Sequence, residues 1–517
     1  MKREYIKCIQ INNDNEIIQD TSFLTRKKFV SIQNAAIDVD ISIIVVTYKN
    51  IEKTKNCIKA ILENTKGYNY ELILLDNASN DGTLEYLQSI KYEKKRIIYT
   101  TQNIGLCWLV AQVDFNTLAK YVVKISNDVV VTPGWLDNMM HCIQSDEKIG
   151  MVVPISSNAM GFQGLNLCMA GAPYHDVQQK GEAYNQQKLG IWEERVALVD
   201  ICVMFRKEAL LAAGFPIQDI AYIHGNEIDQ CFRMRRSGYK LILARDTWVH
   251  HDHDYSQKRQ DGAVGFKNKN EYILDNNTED HFTLRWGGIK LFDDIYNFLL
   301  HRLDSLPIDK KNFIPQILGV DVRCGQPILD IKNRLWREKV SETKIYAFSQ
   351  EDQYMPDLKS ICGIHNAYCD REEFFRDYFK SEFFDYIVVD RPINQYKEPV
   401  KFYRDVLYSL KERGILFISL LNTQNYVDFL SMAVDKNAVS NITAVHIPVE
   451  KFINLINMDV EIIQIFYEAN TLEPKELLSE AIDNICQPDA KEDLVNRMLV
   501  NKYIFMVRKK CKRDGQP

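Results

Sequence analysis

The sequence lacks any long hydrophobic run. A membrane-spanning helix needs about 20 mostly apolar residues. The longest stretch without a charged side chain, residues 149–175, is interrupted by Pro154, Gly161 and Pro173 and is typical of a loop. The basic N-terminus is followed by no apolar segment, so no signal peptide is expected. We therefore predict a chain with no membrane span.

An excess of positive charge is also missing. The 517 residues include 64 Lys and Arg against 70 Asp and Glu, a formal net charge of −6. This balance argues against non-specific nucleic-acid binding, which requires an excess of basic side chains. The 12 cysteines, in a chain with no secretion signal, are expected to be free thiols in a reducing compartment, and the cytoplasm is the expected location.

Two series of short β-branched runs alternate with helical patterns and predict an α/β fold with mostly parallel sheets. The first series places strands at 41–47, 70–75, 97–100 and 121–125. The second places them at 314–322, 344–348, 384–389 and 414–420. The predicted organisation is an N-terminal extension (1–40), a first α/β domain (41–265), a helical linker (266–312), a second α/β domain (313–430) and a mixed C-terminal segment (431–517).

Polar side chains follow the predicted strands of the first domain. Ligands of such sheets bind beyond the carboxyl ends of the strands. Asp76 could accept the N–H of a pyrimidine ring, although Asp and Asn in this setting are also ordinary turn residues. Asp128 could hold a divalent cation against a diphosphate. Its alternative role would be to cap the helix after Pro133, but Asp128 lies too far upstream of that helix.

Acidic and histidine residues are concentrated farther along. Glu227 and Asp229 are expected to open a helix and, being two apart, to point to different faces. A favourable interaction with the helix dipole would explain both acidic residues without catalysis, and Asp229 could also pair with Arg233. Three histidines between 250 and 253 favour a metal or phosphate contact.

Together these segments resemble the family-two glycosyltransferases with the GT-A fold. The segments that carry the resemblance, in order, are Thr47-Tyr48, Asp76-Asn77-Ala78-Ser79-Asn80-Asp81-Gly82-Thr83, Asn103-Ile104-Gly105, Ser126-Asn127-Asp128, Pro133-Gly134-Trp135, Gly214-Phe215, Asn226-Glu227-Ile228-Asp229 and Val249-His250. They cover residues 41–255, and their shared order makes the resemblance specific.

The resemblance implies a role for each matching position. The residues expected to bind the nucleotide sugar are Thr47, Tyr48, Asp76, Asn103, Gly105, Asn127 and Asp128. Asp128 and His250 would hold Mn²⁺ or Mg²⁺, and Glu227 would be the catalytic base, with Asp229 as the alternative. Two positions depart from the family pattern, because Ser126 replaces an acid of the metal motif and Asn226 replaces the Glu of the Glu-Asp pair.

The implied reaction is an inverting, metal-dependent transfer from a UDP- or dTDP-sugar to a hydroxyl of a glycan or protein acceptor. A cell-surface polysaccharide and a flagellin-type protein both remain open as acceptors. Two alternatives are a bifunctional enzyme that also methylates, and a non-catalytic scaffold that binds a sugar nucleotide.

The second half resembles the class I methyltransferase-like fold. Phe384–Val389 matches its fourth strand, and Gly414–Ser419 the following one. In the cofactor loop, Arg323 and Pro327 replace glycines that let the backbone approach a ligand. We therefore expect no S-adenosylmethionine binding, and instead a domain that positions the acceptor, a partner subunit or a second copy of the chain.

Overall fold

The computed structural model describes most of the chain, and each part below is taken from those residues alone. They are 6–10, 16–19, 39–100, 117, 119–159, 161–165, 171–186, 191–214, 223–252, 278–291, 294–295, 299, 302–308, 314–426, 445–469 and 495–511. The chain divides into two compact units, Met1–Ile295 and Tyr296–Pro517.

The first unit is built on a mixed sheet with a parallel centre. Strand β3 (Ile41–Thr47) is buried along almost its whole length, as expected for a β-branched run covered on both faces. It pairs in parallel with β4 (Tyr70–Asp76) on one side and β6 (Tyr121–Ser126) on the other. The carboxyl ends of these three strands therefore meet at one edge.

The other strands extend this centre on both sides. They are β1 (Ile6–Gln10), β2 (Glu16–Gln19), β5 (Lys95–Thr100), β7 (Val129–Val130), β8 (Ile149–Ser156), β9 (Trp192–Arg195), β10 (Cys202–Arg206) and β11 (Lys240–His251). The order is β2-β1-β5-β4-β3-β6-β10-β8-β11-β7, with β9 paired to β11. Because β10 is antiparallel to β6, the residues that precede β10 lie at the same edge as the end of β6.

Helices flank this sheet. They are α1 (Ile51–Asn64), α2 (Thr83–Ser89), α3 (Trp135–Gln144), α4 (Tyr174–Tyr184), α5 (Lys207–Ala213), α6 (Ile223–Arg236) and α7 (Thr278–Arg285). Helix α1 buries Cys57, Ile58 and Ile61 on one stripe, the spacing that its sequence predicts.

The second unit contains a seven-stranded sheet. Its strands are β12 (Gln316–Val320), β13 (Lys344–Ser349), β14 (Ala367–Cys369), β15 (Phe384–Val389), β16 (Leu410–Leu421), β17 (Val460–Ala469) and β18 (Val500–Lys509), in the order β14-β13-β12-β15-β16-β18-β17. The first five pair in parallel, and β18 lies antiparallel between β16 and β17. This order agrees with the class I methyltransferase-like fold that the sequence resembles.

The helices of the second unit complete its α/β layers. They are α8 (Gln326–Arg337), α9 (Met355–Cys362), α10 (Phe375–Tyr378), α11 (Pro399–Ser409) and α12 (Val449–Ile456). Helix α11 places Phe402, Tyr403 and Val406 in a core cluster against strands β15 and β16.

Several segments differ from the sequence-based expectation. The N-terminal extension contributes two strands, β1 and β2, to the first sheet. The C-terminal segment 431–517 supplies β17 and β18 to the second sheet. The linker 266–312 contains helix α7, but its described residues from 286 onwards form no α-helix. Within the described residues, no helix has the length and apolar character required to cross a bilayer.

Candidate active site

Thr47 and Asp76 occupy the ends of β3 and β4 and contact each other. The Thr47 hydroxyl donates to the Leu75 carbonyl at 2.9 Å and lies 3.1 Å from the Asp76 carboxylate. The other carboxylate oxygen of Asp76 accepts the Ser79 N–H at 3.1 Å. Both side chains are buried, so the Asp76 carboxylate is fixed in direction by its own turn. Both the turn interpretation and the ligand interpretation of Asp76 are compatible with this geometry.

The loop between β3 and α1 is held by Asn127. The Asn127 amide donates to the Lys49 carbonyl and to the Thr54 hydroxyl, both at 2.9 Å. Backbone φ angles of 59° at Lys49 and Asn50 show the sharp turn that these bonds fix. Tyr48, the other residue predicted here, lies beside Lys49, whose ammonium nitrogen is 5.0 Å from the centre of the Tyr48 ring. Asn127 therefore shapes the loop through its side chain.

Asp128 contacts His251, the neighbour of the predicted ligand His250. The Nε2 atom of His251 lies 3.3 Å from the Asp128 carboxylate. The ring of His250 instead lies 2.7 Å from the Ser157 hydroxyl through its Nδ1 atom. Successive side chains of a strand point to opposite faces, so β11 can direct only one of these two rings to a given side. His251, rather than the predicted ligand His250, is therefore the histidine in contact with Asp128, and the role of His250 as a ligand stays a prediction.

The electrostatic setting of His250 differs from that of a surface histidine. Burial lowers the pKa of its imidazole, and the nearby Asp252 carboxylate opposes that change in pKa. The ring is therefore kept neutral near pH 7. The side chain of Lys53 pairs with Asp252 at 3.7 Å, which brings a cation to the same strand end.

The residues around Asp128 fit a cation held largely by its substrate. Among the described residues, no cluster of three or more His, Cys, Asp or Glu side chains could hold a metal ion by itself. Mg²⁺ is commonly bound by one or two carboxylates together with substrate phosphates and water. One carboxylate and one imidazole, 3.3 Å apart, meet that requirement once a diphosphate supplies the other oxygens.

Glu227 is buried and pairs with the partly exposed carboxyl group of Asp200. Helix α6 begins at Ile223, so Glu227 is in its second turn and not at its opening as predicted. Its side chain is 6% exposed. Burial raises the pKa of Glu227 well above its usual range, and the charge of Asp200 and a hydrogen bond to it raise that pKa further, while Lys124 lowers it. A carboxyl group in this setting keeps its proton to a higher pH than an exposed one.

Asp229 is engaged by two arginines. One carboxylate oxygen lies 2.7 Å from Arg233, one helical turn later, and the other lies 2.9 Å from Arg285 in α7. The side chain is fully buried. This arrangement joins α6 to α7 and distinguishes Asp229 from Glu227, which faces another carboxyl group. The predicted Asp229–Arg233 pair is present.

Backbone hydrogen bonds between neighbouring strands bring the predicted site residues to one edge of the sheet. The Asn77 N–H bonds the Thr47 carbonyl at 3.0 Å, and the Asn127 N–H bonds the Val46 carbonyl at 3.2 Å. The Ser126 N–H then bonds the Ile201 carbonyl at 3.0 Å, next to Asp200. Thr47, Asp76, Asp128 and Asp200 are thus brought together by four adjacent strands. The predicted residues Asn103 and Gly105 lie outside the described residues.

In the second sheet, Asp321 follows the carboxyl end of the central parallel strand β12. Other groups of the same chain contact its carboxylate. The Asp321 carboxylate accepts the Gln350 N–H at 2.8 Å and the Tyr396 hydroxyl at 2.7 Å. Arg391 lies 3.9 Å from the same carboxylate. Arg323 keeps a φ of 52°, the conformation usually left to glycine, and reaches to 4.0 Å from Asp390.

A comparison with protein families matches part of the first unit. The profile of the glycosyl transferase family 2 matches residues 42–210, which contain β3 to β10 and the Asp128 segment. Residues 42–210 form a glycosyl transferase family 2 domain. The match covers the Thr47, Asp76 and Asp200 positions, whereas Glu227 and the histidines follow it.

Individual proteins resemble parts of the chain. An uncharacterized protein, y4gI from Sinorhizobium fredii, is 21% identical over 282 residues, which are 53% of this chain and 30% of that protein. The chain thus spans about a third of that relative.

Solved structures also resemble parts of the chain. GalNAc-T7 with UDP, GalNAc and Mn²⁺ has a TM-score of 0.34 at 12% identity, over 41% of this chain and 44% of that one. A methyltransferase solved in complex with the Haloferax volcanii activator Trm112 has a TM-score of 0.28 at 10% identity, over 41% of this chain and 88% of that one.

Two side chains that contact the predicted site residues were not predicted from the sequence. Asp200 precedes the apolar strand Cys202–Arg206, and its position at the end of an antiparallel neighbour of β6 could have been inferred only with the strand order. His251 was passed over in favour of His250, since the direction of each ring depends on the register of β11 with β7.

Proposed function

We propose that this chain is an inverting, metal-dependent glycosyltransferase that uses a UDP- or dTDP-sugar. The observation that carries the proposal is the convergence of Thr47, Asp76, Asp128 and Asp200 on one sheet edge within a glycosyl transferase family 2 domain. Such an edge is where open α/β sheets bind their ligands.

The nucleoside would bind against β3 and β4. The buried Asp76 carboxylate is oriented by Thr47 and Ser79 and can accept the ring N–H of uracil or thymine. Because a carboxylate only accepts hydrogen bonds, this position favours a base that presents an N–H donor there.

The diphosphate would lie at Asp128. Asp128 and His251 would hold a divalent cation, which neutralises charge on the leaving diphosphate when it is bound. Lys53, near Asp252 at the same strand end, adds a positive charge that attracts an anionic donor.

Glu227 would be the catalytic base. It would take the proton of the acceptor hydroxyl while the acceptor oxygen attacks the anomeric carbon from the side opposite the diphosphate. The bond between the anomeric carbon and the diphosphate oxygen breaks, and its electron pair leaves with the nucleoside diphosphate. A single displacement inverts the anomeric centre and uses no covalent intermediate. Asp229 is the poorer base because it is held between two guanidinium groups.

The second unit would serve as a positioning domain. The Asp321 carboxylate, at the end of β12, is surrounded by Tyr396, Gln350 and Arg391, so the chain's own groups take the hydrogen bonds that a cofactor would need. We propose that this unit orients a glycan or protein acceptor, a partner subunit or a second copy of the chain without binding S-adenosylmethionine.

A donor screen tests the proposal. The full-length chain is incubated with UDP-, dTDP- and GDP-sugars, Mn²⁺ and a mixture of simple hydroxyl acceptors, and release of the nucleoside diphosphate is measured. We expect release from a UDP- or dTDP-sugar that requires the metal. Release only from GDP-sugars would contradict the proposed UDP- or dTDP-sugar donor, and no release from any donor would contradict the proposed activity.

A further inference from the structure

The predicted base, Glu227, belongs to a group of three charged side chains that are buried or partly buried. Lys124 of β6 places its ammonium 3.2 Å from the Asp200 carboxylate and 3.2 Å from the Gln230 amide oxygen. Asp200, which precedes β10, is hydrogen-bonded to Glu227 of α6. The Lys124 side chain is 8% exposed and that of Asp200 22%. Three elements of the fold thus bring two carboxyl groups and one ammonium together.

The arrangement is asymmetric. The ammonium contacts Asp200 directly, so it stabilises negative charge on Asp200 more than on Glu227. Ionising both of two carboxyl groups in hydrogen-bond contact is energetically unfavourable. The pair therefore keeps one proton to a higher pH than a single carboxyl group would. The retained proton lies mainly on Glu227, the more buried of the two.

We propose that Asp200 is a positioning residue that shares one proton with Glu227, so that the two carboxyl groups act as a single base. This inference rests on the proposed transferase function. In the reactive form both carboxyl groups are ionised, and the proton of the acceptor hydroxyl passes to Glu227. It is then held between Glu227 and Asp200 until it leaves to solvent. At low pH the pair already holds a proton and cannot accept another.

Cys231 and Arg235 follow Glu227 at four-residue spacing along α6. Cys231 bonds the Leu198 backbone at 3.4 Å, and burial raises the pKa of its thiol so that it stays neutral. The guanidinium of Arg235 lowers that thiol pKa. Among the described side chains, Lys124 is a cation that lowers the pKa of Glu227, and Asp200 is an anion that raises it.

Two substitutions should move the activity profile in opposite directions. With Asp200→Asn the like charge beside Glu227 is lost, so the rise of kcat/KM with pH should move to lower pH. With Lys124→Met the stabilising cation is lost, so the rise should move to higher pH. Each shift should be about one pH unit or more, as for other charges in contact with a carboxyl group. A role limited to packing would not produce opposite shifts.

The experiment measures kcat/KM against pH with the nucleotide sugar found in the donor screen, for the wild type, Asp200→Asn and Lys124→Met. Asp146→Asn is the matched control, since it removes a carboxylate from the Lys240 pair on the partly exposed surface and should leave the profile unchanged. Unshifted profiles in both test variants would overturn the inference and leave the transferase proposal intact. If Asp200→Asn fails to fold, Lys124→Met alone decides, and an unshifted profile overturns the inference.

A second measurement does not depend on turnover. A carboxyl group whose pKa is raised by folding adds stability that is fully present below its unfolded pKa and is lost as the pH rises through its folded pKa. The wild type should therefore lose more thermal stability than Asp200→Asn as the pH rises from about 4.3, the usual pKa of Glu. Parallel curves would overturn proton sharing. A third outcome is the expected difference in stability combined with no transfer from any donor. It would overturn the proposed function and, with it, the catalytic role of the pair.

Discussion

Each of the two sheets has an aspartate near the carboxyl end of a buried parallel strand. The two aspartates have different surroundings. Asp321, after β12, is surrounded by the Tyr396 hydroxyl, the Gln350 N–H and the Arg391 guanidinium. At the edge of the first sheet, Asp200 instead faces another carboxyl group, Glu227. Lys124 compensates one charge at this edge, but two like groups remain in contact there, whereas Asp321 has no second carboxyl group among the contacts named above.

This difference distinguishes the edge that we propose to be reactive from an edge whose carboxylate is held by the chain's own groups. Hydrogen bonds from Gln350 and Tyr396 hold the Asp321 carboxylate in place. The charges of Asp200 and Glu227 oppose each other when both groups are ionised, and such perturbed groups are concentrated at functional sites.

The largest effect is expected at Glu227. Glu227→Gln keeps the shape of the side chain but removes the base, so transfer should fall by about 10² to 10⁴, the usual contribution of general base catalysis. The rate is measured with the donor from the screen, and circular dichroism checks that the fold is intact. Asp146→Asn, the same chemical change on the surface, is the control. A rate within a few-fold of the wild type would exclude Glu227 as the base.

Asp229 should matter for stability rather than for proton transfer. Asp229→Asn leaves Arg233 and Arg285 without a carboxylate in a buried site, so the free energy of unfolding should fall by about 3 kcal/mol. Urea denaturation measures the change. The partly exposed Asp146–Lys240 pair should lose at most about 1 kcal/mol on Asp146→Asn. Equal losses in the two variants would contradict the structural role of Asp229.

The two neighbouring histidines offer a sharper comparison. His251→Ala should raise the Mn²⁺ concentration for half-maximal activity by about tenfold or more, since His251 contacts Asp128. His250→Ala should change it less, because that ring is bonded to Ser157. Metal titrations of both variants decide the matter. The reverse ranking would restore His250 as the ligand that the sequence predicted.

The smallest effects are expected in the second unit. Tyr396→Phe removes one hydrogen bond to Asp321 and should lower the free energy of unfolding by about 1 kcal/mol. S-adenosylmethionine should leave the melting temperature of the wild type unchanged, since a ligand that binds the folded chain would raise it. A concentration-dependent rise with this compound would show that the cofactor site is open.

The strand pattern was the part of the fold that the sequence predicted best. Strand β15 was predicted at its observed bounds and β3 likewise, because continuous β-branched runs between turn residues are distinctive. Helix α6 was placed four residues late, since Glu227 was taken for its first turn. The strands of the C-terminal segment were underestimated because antiparallel edge strands depend on pairing across the sheet.

The site was predictable wherever its residues follow a strand directly. Asp76 and Asp128 come from the ends of β4 and β6, so their approach follows from local pattern alone. Asp200 and His251 depend on the register of distant strands, and no local signal distinguishes them. The Asp229–Arg233 pair was predicted from its spacing of four residues, but Arg285 comes from another helix.

The most direct test of the central claim is calorimetric titration of the full-length chain with UDP, with Mn²⁺ and with EDTA, for the wild type and Asp128→Asn. We expect binding to the wild type that is strengthened by Mn²⁺, and loss of that metal dependence in Asp128→Asn with residual binding through the Thr47–Asp76 end. UDP binding that is unaffected by both the metal and the substitution would contradict a metal-assisted diphosphate site at Asp128.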